Sequence, residues 1–198
     1  MGYLTKDKKR QAILEAALAL AASIGFAGIT ARKLAEKMGA ATGTIHHHFS
    51  SLEELKNEAI QYHFEITMAD DLRATEGLTA YQALLQLLLP SNFINREFEG
   101  RIWMSAEDEM WRNPKLKQTY SKAMVIFIGQ LEMLIQKGVE SGVFKLSEPA
   151  RQCALKFQAL SWSLCNYTHL GDEILNLDTA DSIVINDLQQ TLGLTGSI

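Results

Sequence analysis

Apolar residues recur at intervals of three and four along most of the chain, which is the period of an amphipathic α-helix. The first such pattern runs from Lys6 to about Ile24 and ends at Gly25. Glycine and proline residues divide the later sequence into predicted helices near 52–72, 79–89, 95–112, 115–141, 149–170 and 178–192. No segment alternates apolar and polar residues as a β-strand would, so no sheet is predicted. The pattern therefore predicts an all-α protein.

Two short helical patterns flank a glycine turn between residues 30 and 49. Thr30 stands where a helix N-cap belongs, although Lys33 replaces the glutamate of a full capping box. Gly39 lies where a left-handed residue lets the chain turn sharply into the next helix. Ile45 and Phe49 then repeat four residues apart. This spacing predicts a helix-turn-helix, which together with the first helix forms a three-helix head.

The chain has 198 residues, of which 47% are hydrophobic, enough for a folded body of one or two units. Its formal charge of −4 is unevenly distributed. Residues 1–50 carry seven Lys and Arg side chains against three Asp and Glu, a net charge of +4, so the remainder carries −8. This asymmetry indicates a polyanion as partner of the first part. The alternative is a lysine face that is merely solvated.

The cysteines and the lack of a targeting signal indicate the cellular compartment of the protein. Cys153 and Cys165 fall on one predicted helix, about 18 Å apart along its axis, which is too far for a disulfide. The sequence shows neither a secretory signal nor an apolar run of spanning length. A myristoylation signal would need Ser or Thr where Lys6 stands. We expect a cytoplasmic protein with reduced thiols and no membrane partner.

Residues 6–63 resemble the DNA-binding head of the TetR family of bacterial transcriptional regulators. The family pattern begins with a threonine at the second helix and ends with Gly-Thr-aliphatic-aromatic-x-aromatic-Phe. It is met by Thr30, Leu34-Ala35, Gly39, Gly43-Thr44-Ile45 and Phe49. The resemblance implies a homodimer that places two recognition helices in successive major grooves of double-stranded DNA. It also implies a head at residues 1–50 and an effector-binding and dimerisation body at residues 51–198, connected by a helix whose tilt carries ligand binding to the DNA.

The resemblance implies DNA contacts at particular positions. Arg32 would read a base edge, ideally guanine, and Thr42 would contact bases from the start of the recognition helix. Thr30 and Thr44 would bind phosphates through hydroxyl and backbone N–H, and Lys6 and Lys9 would add sequence-independent attraction. Lys33 is a further predicted DNA-binding residue. Gly43 either lets the backbone approach a phosphate or occupies a frayed helix start.

The head departs from the family pattern at three positions. Ala41 replaces the usual serine cap, so either Thr42 takes over the cap or the helix starts one residue late. His46 replaces a tyrosine, and Leu52 replaces a lysine that grips a phosphate. The run His46, His47 and His48 lacks the i, i+3 or i, i+4 spacing of a helical chelate, so no metal site is predicted. These imidazoles either meet phosphates and strengthen binding as pH falls, or one packs inside and two remain at the surface.

The helix predicted at 149–170 is apolar on two faces, so both faces must be covered. One stripe contains Cys153, Phe157, Leu160 and Leu164, and the last helix adds an apolar stripe of its own. Two copies of each helix would form a four-helix dimer interface. Its predicted residues are Phe157, Leu160, Leu164, Leu188 and Leu192. The alternative is an internal core helix.

A candidate effector site lies on the helix predicted at 95–112, where a carboxylate and large apolar side chains share one face. The predicted wall consists of Trp103, Glu107, Met110 and Trp111, completed by Phe127 and Trp162. Simple core packing is the alternative. The segment 103–114, with the helix end near 138–144, also loosely resembles choline-responsive betaine-regulon repressors. A carboxylate between two tryptophans would hold a cationic ligand by charge and cation–π attraction.

The sequence lacks the usual signatures of a helical enzyme. No Glu-x-x-His pair, His-Glu-x-x-His, Gly-x-Ser-x-Gly or P-loop motif occurs, so we expect neither catalysis nor a cofactor. The sequence and the resemblance together predict a dimeric regulator, most simply a repressor, released from a palindromic operator by a small molecule. An architectural or activating DNA-binding protein without an effector is the alternative.

Overall fold

The computed structural model describes residues 5–94 and 97–194, and within these residues the chain is helical and contains no strand. The predicted all-α fold is thereby confirmed. In chain order the helices are α1 (Lys6–Ile24), a 3-10 turn (Phe26–Gly28), α2 (Ala31–Met38), α3 (Thr42–His48), α4 (Leu52–Ala74), α5 (Ala80–Leu88), α6 (Pro90–Ile94), α7 (Glu97–Glu109), α8 (Pro114–Glu140), α9 (Ala150–Thr168) and α10 (Leu177–Thr191).

The chain forms two compact units that both α4 and α8 run through. The first unit contains described residues 5–67 and 97–123, and the second contains 68–94 and 124–194. The division of roles predicted at residue 50 concerns function and stays a prediction.

Local capping explains where the first helices begin and end. The hydroxyl of Thr30 accepts a hydrogen bond from the Lys33 backbone N–H at 3.2 Å, as the predicted single-sided cap requires. Gly39 adopts φ 60° and ψ 33°, the left-handed conformation that the predicted turn needs. Helix α3 starts at Thr42 with Ala41 as its N-cap and no side-chain cap. Thr42 therefore does not take over the cap, and the helix keeps an uncapped start.

The first unit has a continuous apolar core. Helix α1 packs against α2 and α7, and α2 packs against α3. The fully buried side chains that fill this core are Ile13, Phe26, Leu34, Ile45, Leu55, Ile60, Ile102 and Leu116. Burial of this apolar surface, rather than the weak intrinsic stability of short helices, holds α2 and α3 in place.

The core of the second unit combines side chains of α5, α9, α10 and the later part of α8. It includes Leu84, Leu88, Leu131, Ile135, Phe157 and Leu188. The Ser161 hydroxyl donates to the carbonyl of Leu88, the last residue of α5, at 2.5 Å, and in α6 the Ser91 N–H donates to Asp181 at 3.0 Å. Helix α6 was not predicted, because Pro90 was interpreted as a break, whereas proline also suits the first turn of a new helix.

The remaining helices match the predicted ones with small differences at their ends. Helix α7 ends at Glu109 instead of residue 112, and the first two residues of its predicted range lie outside the described residues. Cys153 and Cys165 lie on α9 as predicted, both buried and both free thiols. Of the helices in the described part of the chain, none has the length and apolar character to cross a bilayer.

Candidate nucleic-acid interface and ligand site

Helices α2 and α3 pack on each other and place most of the predicted DNA-contacting side chains at the surface of the first unit. Exposed positions include Lys6, Thr30, Arg32, Lys33, Thr42, Gly43, His46 and His47, whereas Lys9 and Thr44 are half-buried. Lys33 also donates to the Gly28 carbonyl at 3.1 Å, which orients its side chain. The surface is therefore basic and rich in hydrogen-bond donors.

Arg32 is available on this surface but has an acidic neighbour. Its Nε lies 2.8 Å from a Glu36 carboxylate oxygen one helical turn away, and the two side chains are 85% and 60% exposed. The hydrogen bond and charge of Glu36 raise the pKa of Arg32. An ion pair this exposed contributes little, so the guanidinium can exchange it for another acceptor.

Gly43 lies inside α3 without a packing reason within the chain. A Cβ atom built on this residue would meet no atom within 4 Å. Internal packing therefore does not require a glycine, and the backbone at the start of α3 is open to an approaching group.

The histidine run divides between inside and outside. His46 and His47 are exposed, whereas His48 is 8% exposed and its Nδ1 is buried without a hydrogen-bond partner. Burial lowers the pKa of His48, and the positive charges of nearby His47, Lys6, Arg10 and Lys9 lower it further. His48 therefore stays neutral near pH 7, and the predicted phosphate role is left to the other two.

Arg10 on α1 connects the C-terminal end of α3 to α4. The sequence pattern does not distinguish Arg10 from the other basic residues of the head. The guanidinium donates to the His48 carbonyl and, at 2.6 and 2.7 Å, to both carboxylate oxygens of Glu58 on α4. Its Cζ lies 4.1 Å from the centre of the Phe49 ring. One side chain of α1 thus contacts both α3 and α4.

An aromatic cluster surrounds Trp103 on α7. Ring-centre distances from Trp103 are 5.3 Å to His63, 6.4 Å to Phe64 and 5.8 Å to Tyr120. These separations and the tilted or edge-on geometries are the favourable ones for aromatic contacts. The cluster joins α4, α7 and α8 within the first unit, and only Trp103 of its four rings had been predicted.

Glu107 places one carboxylate beside this cluster. The Tyr120 hydroxyl donates to a Glu107 oxygen at 2.6 Å. Burial, together with this carboxylate, raises the pKa of Tyr120 well above its ordinary value, so the phenol remains a donor at physiological pH. Glu107 and Trp103 are both half-buried, and their role in a ligand site stays a prediction.

Other predicted members of the site are placed differently. Because α7 ends at Glu109, Trp111 lies in the following turn, is 76% exposed and does not share a face with Trp103. Its ring lies 5.7 Å from Lys117 Nζ instead. Phe127 packs against the core of the second unit, where Trp162 is also half-buried. Met110 is half-buried just after α7.

The end of α7 is anchored to α4 by a buried ion pair that the sequence did not reveal. Lys56 Nζ lies 2.7 Å from a Glu109 oxygen, with the two side chains 13% and 7% exposed. Next to this pair the Thr119 hydroxyl donates to the Asn57 side-chain oxygen at 2.5 Å. Helical spacing in the sequence cannot predict either contact, because the two residues of each pair lie more than fifty positions apart in the chain.

The predicted dimer residues are mostly internal to the second unit. Phe157, Leu188 and Leu192 are essentially inaccessible and Leu164 is buried, so these side chains form core instead of a surface for a partner. Leu160 is half-buried and packs against the same core. The alternative of an internal core helix holds for this stripe. The apolar side chains that α9 and α10 expose are Leu155, Tyr167 and Ile183.

A shallow groove lies between α1 and the start of α7. It has a volume of about 280 Å³ and is lined by Ala19, Ala22, Ser23, Glu97, Phe98 and Arg101. It shares no residue with the aromatic cluster.

Comparison with known proteins relates the chain to transcriptional regulators. Residues 13–59 match the family model described as bacterial regulatory proteins, tetR family. The HTH-type transcriptional regulator YfiR of Bacillus subtilis (strain 168) is 26% identical over 161 residues, covering 77% of this chain and 76% of that protein. The HTH-type transcriptional repressor KstR of Mycolicibacterium smegmatis is 31% identical over 126 residues, covering 63% of this chain and 54% of KstR.

Solved structures extend the similarity beyond the head. A transcriptional regulator of Saccharomonospora viridis, crystallised in complex with choline, superposes with a TM-score of 0.81. It is 25% identical, and the match covers 93% of this chain and 96% of that one.

Proposed function

The chain belongs to the TetR family of transcriptional regulators, and from that premise we propose that it is a homodimeric repressor released from a palindromic operator by a small molecule. The observation that carries the proposal is the exposed basic surface of α2 and α3. Residues 1–50 serve as the DNA-binding head, and residues 51–198 serve as the effector-binding and dimerisation body. The protein acts in the cytoplasm.

In the proposed complex, α3 enters the major groove and phosphate contacts fix its register. Arg32 exchanges Glu36 for a guanine edge, to which a guanidinium can donate two hydrogen bonds. The open backbone at Gly43 and the hydroxyl of Thr44 approach phosphates, and Lys6 and Lys9 add sequence-independent attraction. Thr42 contacts bases from the start of the helix.

Binding to a duplex that the purified protein selects from a random-sequence pool tests this proposal. We expect tight, salt-sensitive binding that Arg32→Ala weakens on the selected duplex by about tenfold, since one bidentate base contact contributes about 1–3 kcal/mol. Lys122→Ala, which removes an exposed charge on α8, is the matched control. Equal, weak binding to every duplex would favour the architectural alternative, and absence of binding would refute DNA recognition.

The effector that we propose is a small organic cation. Support comes from the carboxylate of Glu107, which accepts a hydrogen bond from the Tyr120 hydroxyl, and from the Trp103 ring 5.8 Å from that of Tyr120, because aromatic faces and a carboxylate together recognise quaternary ammonium groups. The choline-bound Saccharomonospora viridis protein gives this chemistry a precedent on the same fold.

Release of the selected duplex by choline tests the cation hypothesis separately. We expect millimolar choline to lower DNA affinity, and its neutral isostere 3,3-dimethylbutan-1-ol to have little effect. Glu107→Gln should abolish the response, whereas Asp108→Asn, which removes an exposed carboxylate next to it, should retain it. Equal responses to choline and the neutral alcohol, or an intact response in Glu107→Gln, would exclude a cation at this site.

We place the dimer surface on the outward faces of α9 and α10. Leu155, Tyr167 and Ile183 are the exposed apolar side chains there, and a second copy would cover them. Leu155→Glu should shift the protein from dimer to monomer in sedimentation velocity. The exposed Val143→Glu serves as the control and should remain dimeric. A dimeric Leu155→Glu variant would move the interface elsewhere.

A further inference from the structure

Helix α3 has little intrinsic means of holding its orientation. It has seven residues, a glycine near its start and no side-chain cap. A single isolated helix of this length is unstable in water, and its last carbonyls need partners outside the helix. Its direction must therefore be set by contacts with other elements, through the buried Ile45 in its middle and through its two ends.

Arg10 supplies such a contact at the C-terminal end. It donates to the backbone carbonyl of His48, the last residue of α3, and its guanidinium covers the ring of Phe49, the next residue. Nη2 of the same group donates to both carboxylate oxygens of Glu58 and lies 3.6 Å from a Glu54 oxygen, whereas Nη1 makes the bond to His48. A planar guanidinium holds its two nitrogen donors at a fixed angle, so these bonds fix geometry as well as charge.

Glu54 is itself held in place at the start of α4. Its carboxylate accepts hydrogen bonds from the backbone N–H and hydroxyl of Ser50. These bonds, with a further contribution from Arg10, lower the pKa of Glu54. The acidic partners of Arg10 are thus a fixed part of α4, and the guanidinium connects the end of one helix to the first two turns of the next.

Arg10 is also a poor candidate for a phosphate ligand. Its side chain is only 32% exposed, both terminal nitrogens donate within the protein, and two carboxylates offset its charge. Lys8, in contrast, is exposed on the same helix.

We propose that Arg10 is the positioning residue for DNA recognition: with Glu58 it holds α3 at the angle to α4 that lets α3 fit the major groove. This inference rests on the proposed function. Arg10 acts on DNA through α3 and not through its own charge, so the acidic residue Glu58 is required for binding to an acidic polymer.

Glu58→Gln gives the sharpest test, because positioning and electrostatics predict opposite signs. The variant makes the head more positive by one charge, so electrostatics alone would tighten DNA binding. Positioning predicts weaker binding to the selected duplex, by about tenfold, the lower range for hydrogen bonds to charged groups. Glu53→Gln is the matched control, an exposed carboxylate on the same helix, and should bind as wild type or up to about twofold tighter.

Arg10→Lys and Arg10→Met distinguish geometry from charge. Both should weaken specific binding similarly, because lysine keeps the charge but cannot reproduce the fork or the stacking. On a scrambled duplex, Arg10→Lys should bind as wild type and Arg10→Met at most about twofold more weakly, the effect of one charge without a phosphate contact, and the slope of log K against log salt should match that of wild type. A direct phosphate contact would instead lower that slope by about 0.9 in Arg10→Met. Lys8→Met controls for the loss of one charge on α1.

All variants are compared at a temperature where circular dichroism shows them folded. Tighter or unchanged binding by Glu58→Gln, or full activity of Arg10→Lys, would overturn the inference while leaving the proposed function intact. If wild type shows no preference for the selected duplex, the proposed function itself fails. The two failures are therefore distinguishable in one set of measurements.

Discussion

Replacing Lys56 by methionine should destabilise the first unit by about 3 kcal/mol, because Glu109 would be left buried without its main partner. The pair is short, with 2.7 Å between Nζ and Oε1, and the side chains are only 13% and 7% exposed. Removing one member of such a pair leaves an uncompensated charge in a poorly hydrated site, which typically costs about 3–5 kcal/mol.

The lower end of this range applies for two structural reasons. Arg112 lies 3.7 Å from the second Glu109 oxygen and retains part of the compensation when Lys56 is lost. Arg112 is itself half exposed, so water also reaches this end of the carboxylate. Replacing both members, by Lys56→Met with Glu109→Leu, should cost much less than the sum of the single changes, because a buried pair exchanged for apolar groups is often nearly neutral.

Urea unfolding followed by circular dichroism, at one fixed protein concentration, measures the four proteins of this double-mutant cycle. We expect a coupling energy of at least about 2 kcal/mol for the buried pair. The exposed pair between Arg73 and Asp70 is the control and should give about 0.5 kcal/mol or less. Additive effects of the two buried substitutions would refute the argument that the pair is desolvated and coupled.

Three further predictions concern packing, charge and pH. Gly138→Ala should destabilise the protein by about 2 kcal/mol, because a Cβ there would lie 2.0 Å from a phenylalanine ring. Gly129→Ala, on the same helix with nothing within 4 Å, should stabilise by up to about 1 kcal/mol, and urea unfolding should show the opposite signs. Glu36→Ala should raise operator affinity about threefold in a binding titration by releasing its partner arginine, and unchanged affinity would exclude that competition. Because the pKa of His48 is lowered by folding, its contribution to stability is present above about pH 6.5 and lost as pH falls below that value. His48→Gln should therefore flatten the acid side of the stability profile, and identical profiles would contradict this.

Local signals predicted the head well because they act within a few residues. The Thr30 cap and the left-handed Gly39 determine where α2 starts and stops, and both are visible in the sequence. The start of α3 was harder. Ala41 has no capping side chain, so the helix begins where the chain leaves the turn, and no local rule marks that residue.

The candidate ligand site was predicted only in part, because its members come from distant segments. Trp103 and Glu107 lie four residues apart and could be paired by helical spacing. Tyr120 and His63 join them through the packing of α8 and α4, which periodicity does not encode. Trp111 was misplaced because the predicted helix ran three residues too far, which rotated it onto a face that it does not share.

The dimer residues illustrate a different limit. A helix with two apolar stripes must be covered on both sides, but the sequence does not say which stripe meets the chain's own core. On α9 the stripe through Phe157 is internal, and Leu155 lies on the outward side. The stripe through Phe157 thus meets the chain's own core, and a partner chain on the outward side stays a prediction.

The first turns of α4 are held on two sides. Glu58 meets Arg10, which is bound to the end of α3, and Lys56, two positions earlier, meets Glu109 at the end of α7. Residues two apart on a helix point in nearly opposite directions, so these contacts do not compete for one face. A shift of α7 at Glu109 would therefore act on α4 through a buried charge pair, and the same turns of α4 would pass it to α3 through Arg10. Neither the Arg10–Glu58 pair nor the Lys56–Glu109 pair is proposed to contact the ligand or the DNA bases. Altering one of these pairs should therefore change how strongly the ligand proposed at Trp103 affects DNA binding.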